Sequence, residues 1–73
     1  QPPVLFVDDV TQLGHVSGVI YVGFGAGFLD YGKPATLPVA NIRMSVAFAQ
    51  TLRDHLTLAI DAALAPVDRS QAN

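Results

Sequence analysis

Hydrophobic positions along this chain follow two regimes that meet at Ser45. Before it, apolar residues come in short β-branched and aromatic runs broken by glycine and proline. After it, they recur at helical spacing with neither breaker until Pro66. "VLFVDDV" (4–10) reads as a strand, and "TQLG" closes it as a turn. "HVSGVIYVG" (15–23) is the strongest strand pattern in the chain. "FLDY", within 27–31, is another strand-sized run; "GKPA" (32–35) reads as a loop and "TLPVANIRM" (36–44) as a further strand. Pro38 lacks a ladder donor, which places it at an edge or a strand beginning. Gln1-Pro2-Pro3 is an extended lead-in.

The second regime is a helix. Ser45 is a favoured N-cap, and the 46–64 stretch spans near 30 Å at about 1.5 Å per residue. Phe48, Ala49, Leu52, Leu56, Ala59, Ile60 and Ala63 fall within one arc of about 120°, the expected core stripe. Arg53, Thr57, Gln50, Asp61 and Asp54 fill the opposite arc. Between them runs a strip of Ala47, Thr51, His55, Leu58 and Ala62, small-residued and without fixed charge, which is the expected subunit contact. The tail from 66 to 73 is expected to fray. The predicted fold is one small α+β domain over 1–73. It has an antiparallel sheet of three or four strands (about 4–10, 15–23, 27–31 and 36–44) with one C-terminal amphipathic helix (about 46–64) across it.

"GVIYVGFGAGFLDYGK" (18–33) carries five of the six glycines. A dinucleotide fingerprint fails here: its third glycine would fall on Phe28 or Asp30. Gly27 to Lys33 fits a phosphate-binding loop, but Pro34 stands where a magnesium-binding hydroxyl is needed, and no helix follows. An anion nest is the weaker remaining binding option. One continuous strand would put Gly23, Gly25 and Gly27 on one face, at about 0.5–1 kcal/mol each. The expectation is therefore a structural turn around 24–27, with Gly23, Gly25 and Gly27 supplying it and Gly25 or Gly27 at positive φ.

Composition adds one argument. Charged residues are 14% of the 73, against about 25% in ordinary soluble domains. A small domain has more surface to wet, so so little charge implies that another chain covers part of it. No basic stripe exists to neutralise phosphates, since Lys33, Arg43, Arg53 and Arg69 are scattered and the net charge is −2. Nucleic acid is excluded as an expected partner. The charge-free run from Val10 to Leu29 is interrupted by Gln12, His15, Ser17 and glycines, so it predicts no membrane span. With no cysteine, disulfides and thiolate metal sites are excluded. The chain begins at Gln1, which leaves open whether a segment precedes it.

With this layout in place, the stretch from 18 to 56 resembles the bacterial and archaeal family catalogued as domain of unknown function 3467. The matching residues are Asp30-Tyr31, Ile42, Met44-Ser45, Ala49, Leu52 and Leu56. Val46 stands where the family commonly has proline, and Asn41 where it commonly has a basic residue. The resemblance implies a hairpin, a strand and an Ala-rich helix, and carries no catalytic residues with it.

Residues able to do chemistry are few. His15 with Asp8 and Asp9 matches no established metal spacing. A hairpin-mouth histidine bonded to backbone is the plainer reading. His55 and Asp54 are adjacent on a helix and face different ways. Ser17, His15 and Asp30 are triad residue types without a nucleophile elbow. Asp30 and Arg43 form a candidate ion pair, should Asp30 face inward.

The expectation is a non-enzymatic structural or protein-interaction module without cofactor or metal. It would be a homo-oligomer or a small subunit of a larger assembly, such as a shell or virion accessory component. The alternative is a small ligand- or anion-binding regulatory protein using the glycine-rich turn. A cytoplasmic or particle-bound chain is favoured over a secreted one.

Overall fold

The computed structural model describes residues 1–66. The tail expected to fray lies, from residue 67 on, outside the described residues. The chain forms three strands, β1 (Asp9–Val16), β2 (Val19–Asp30) and β3 (Lys33–Ser45), then one helix, α1 (Val46–Leu64). The sheet is antiparallel in the order β1-β2-β3. This is the expected α+β class, and the helix has the expected bounds.

The strand boundaries differ, because the turns lie elsewhere. Val16 pairs with Val19, and Asp30 with Lys33, so each hairpin closes through two residues. Ser17 and Gly18 have φ of 50° and 77°, Tyr31 and Gly32 of 49° and 78°. Positive φ at both loop positions is the I′ geometry whose twist suits a right-handed strand pair. The expected 15–23 strand is therefore cut at Ser17-Gly18. "TQLG" lies within β1, "GKPA" spans the second turn and the start of β3, and residues 4–8 precede the sheet.

The expected turn at 24–27 is corrected as well. β2 runs unbroken through it, and neither Gly25 nor Gly27 has positive φ. The physical reason is clearance. β1 bulges between Val10 and Gln12, and β3 opposite Phe24/Gly25, so both neighbours distort at one level of β2. A Cβ at Gly23 would come within 2.6 Å of Thr11 Oγ1, and one at Gly25 within 2.6 Å of Thr36 Cγ2. The two flanking strands close over the central one there, and only glycine fits beneath them. Gly23 and Gly25 are the two buried residues among those described.

Alternation splits the sheet into unlike faces. Ile20, Val22 and Phe24 of β2 pair with Met44, Ile42 and Ala40 of β3, making one face apolar. Tyr21, Gly23 and Gly25 lie on the other, beside Arg43, Asn41 and Gln12. The tyrosine ring covers Gly14, its cross-strand neighbour.

Ser45 ends the sheet and starts the helix. Its φ of −69° and ψ of 158° are extended, and its Oγ accepts the Phe48 N–H at 3.1 Å. At the other end the Ala65 N–H reaches the Ala62 carbonyl, and Pro66 follows. The helix meets the apolar face only near Ile20 and Met44, where Ala49 and Leu52 are half-buried. Leu56 and Ile60, expected in the core, stay about half exposed. Among the described residues no apolar side chain is buried. The radius of gyration is 16.6 Å, against about 11 Å for a compact chain of this length.

Candidate interaction surface

The apolar face of the sheet continues well past the helix. Beyond Phe24, the alternation carries Ala26 and Phe28 on β2, facing Leu37 and Ala35 on β3. Leu13 of β1 joins the same face through its pairing with Val22, and is 73% exposed. Between helix and sheet opens a cleft of about 430 Å³, lined by Ile20, Val22, Phe24, Met44, Leu56 and Ile60 among others, with Arg53 and Thr57 the polar residues of its lining. Such a surface can exclude water from a partner.

The other face holds a hollow of about 320 Å³ lined by Gln12, Tyr21, Asn41 and Arg43 among others, and is clasped at the level of Gly25 and Gly27. Past the end of β1, the Asp8 N–H donates to the Gly25 carbonyl at 3.0 Å, and Asp8 Oδ1 accepts the Gly27 N–H at 2.8 Å. Asp9 Oδ2 accepts the Thr36 hydroxyl at 3.1 Å, tying β1 to β3 across β2. A carboxylate thus occupies the amide that an anion nest in the glycine stretch would need. The glycine turn expected at 24–27, which the alternative reading uses to hold an anion, is absent because β2 runs straight through it.

The structure scatters the other candidates. Arg43 pairs with Tyr21, and Asp30 with Lys33. The expected Asp30–Arg43 ion pair is excluded, since nine residues of strand (about 30 Å) and opposite faces separate the two. Among the described residues the one ion pair is Arg53–Asp54, 3.1 Å apart and exposed. His15 lies opposite Ile20, at the far end of β1 from Asp8 and Asp9. Ser17 sits in the first turn, distant from Asp30 beside the second. Among the described residues no three His, Cys, Asp or Glu side chains gather to hold a metal ion. No helix of the described residues is long and apolar enough to cross a membrane.

Ala47, Thr51, His55, Leu58 and Ala62 are all exposed on α1, with Leu58 at 68%. The Thr51 hydroxyl donates to the Ala47 carbonyl at 3.2 Å, so it presents its methyl group rather than a free donor. What sequence reading missed is the sheet's own uncovered face and the Asp8–Asp9 clasp. The Ser17-Gly18 dipeptide was the available signal for the first, because a turn there resets which residues share a face. No family model, curated protein or solved structure matches the chain.

Proposed function

We propose that this chain is a non-enzymatic structural or protein-interaction module, working as an oligomer or as a small subunit of a larger assembly such as a shell or virion particle. One observation carries the reading: among the described residues no apolar side chain is buried, while large ones such as Leu13, Leu29 and Leu58 stand in solvent. A domain holds only about 5–15 kcal/mol of net stability, drawn mainly from apolar burial. A lone copy with so little burial lacks that source, whereas an assembly supplies it. The likeness to domain of unknown function 3467, on Asp30-Tyr31 and Met44-Ser45, belongs to the same proposal and brings no activity with it.

Light scattering coupled to size exclusion, with circular dichroism along a dilution series, tests the reading. The expected result is a mass above 7.7 kDa, with secondary structure lost as the assembly dissociates. A folded monomer at micromolar concentration would overturn it.

A further inference from the structure

We infer that the apolar sheet face is covered by a second copy of this chain, in a two-fold dimer where α1 of each copy lies on the uncovered part of the other's sheet. The inference rests on the oligomer reading above and names its partner and surface.

The first argument is area. The chain exposes 6470 Å², whereas a compact monomer of its mass exposes about 4300 Å². Part of the excess of about 2100 Å² lies outside the strands and the helix. A standard interface needs only roughly 800 Å² per partner, and on this face Leu13, Phe28, Leu37, Leu56 and Ile60 are each 48–73% exposed.

The second argument is self-complementarity. A two-fold contact requires one patch to present both halves of the fit. This patch does. Leu56 and Ile60 overhang the cleft on one side, and Phe28 and Leu37 lie bare on the far part of the same sheet face. The lengths also agree. β2 spans about 40 Å at 3.3 Å per residue and the helix about 28 Å, but a copy's own helix covers only the Ile20–Met44 end. A second helix fits the remainder.

The third is charge. Between the hairpin tip, where Asp30 faces Lys33, and the cleft, where Arg53 is paired with Asp54, that sheet face carries no fixed charge; His15 is its one titratable group. Two copies can approach without burying an unpaired ion.

The absence of native cysteine allows a direct test. Copies carrying Ile60→Cys are mixed and refolded with copies carrying Leu37→Cys, then treated with a short bismaleimide. The expected result is a mixed inter-copy product as the dominant cross-linked species. Replacing the Leu37 partner by Gln12→Cys, on the polar face, should abolish that product. A monomeric mass for the untreated mixture overturns this inference and the oligomer reading together. A dimeric or larger mass with no Ile60–Leu37 product, or with the Gln12 partner cross-linking equally, overturns the inference alone.

Discussion

The carboxylate of Asp8 takes the backbone N–H of Gly27, nineteen residues along the chain, at 2.8 Å. In antiparallel pairing, alternate residues of β2 turn their amides towards β1, and Gly25 is the last that β1 itself reaches. Asp8 extends the ladder by one rung with a side chain in place of backbone. The arm before it, with exposed Val4, Leu5 and Phe6, thereby leaves the sheet.

Removing that carboxylate should loosen the β1 end of the sheet. Asp8→Ala is expected to cost about 1 kcal/mol, the usual net worth of such a bond in water. The Gly27 amide should also exchange faster with solvent. Hydrogen exchange read by NMR checks both; an unchanged Gly27 rate would show that the bond contributes nothing in solution.

The glycine stripe gives a contrast within one strand. A methyl at Gly25 meets Thr36 Cγ2 at 2.6 Å, Thr11 Cγ2 at 2.8 Å and the Leu37 carbonyl at 3.0 Å, the last being backbone that cannot swing aside. Gly25→Ala should therefore destabilise by about 1–3 kcal/mol, as overpacking does. At Gly27 the nearest atoms are the Asp8 carboxylate oxygens at 3.7 Å, an ordinary contact. Gly27→Ala should be neutral or stabilising by up to about 1 kcal/mol, because alanine restricts the unfolded chain. Denaturant melts of the two variants decide the matter, and equal effects would refute the clearance argument.

The two turns offer stabilisation. Position one of a type I′ turn favours asparagine, which tolerates positive φ, yet Ser17 and Tyr31 occupy it here. Ser17→Asn and Tyr31→Asn should each raise stability by roughly 0.5 kcal/mol, since a non-glycine residue in that region carries a steric cost that asparagine reduces. Thermal melts at fixed protein concentration are the measurement. A fall in Tm for both variants would mean the turns differ from this geometry.

These turns also explain what was legible beforehand. The change of period at Ser45 and the cap it supplies were enough to place α1 at its observed bounds, because helix start signals are local. The sheet was harder. Ser17-Gly18 is a local signal too, but the strong β-branched run around it hid the break. Gly23 and Gly25 carried a cost that local reasoning could assess and a benefit that it could not. That benefit arises from Thr11 and Thr36, twelve and eleven residues away from Gly23 and Gly25, which meet over them only after both strands bulge. The Asp30–Arg43 pairing failed for the same reason: a shifted turn moves every cross-strand partner.

The outer strip of α1 is where larger assemblies should be decided. Leu58 lies on the side of the helix away from Ile60, so a dimer closed over the sheet face leaves Leu58 outside, with Ala47, Thr51 and Ala62 beside it. Small neighbours let a further subunit come close, and burying one leucine stabilises such a contact by roughly 1.5–3 kcal/mol. Leu58→Asp should weaken association beyond the dimer about tenfold or more, that being the equivalent of about 1.4 kcal/mol. Helix content should stay intact, since the side chain is exposed within one copy. Ile60→Asp, by contrast, should reduce the dimer itself to monomer and take sheet structure with it. Sedimentation of both variants separates the two contacts. If Leu58→Asp keeps the wild-type mass down to nanomolar dilution, the strip is merely exposed and the assembly contact lies elsewhere.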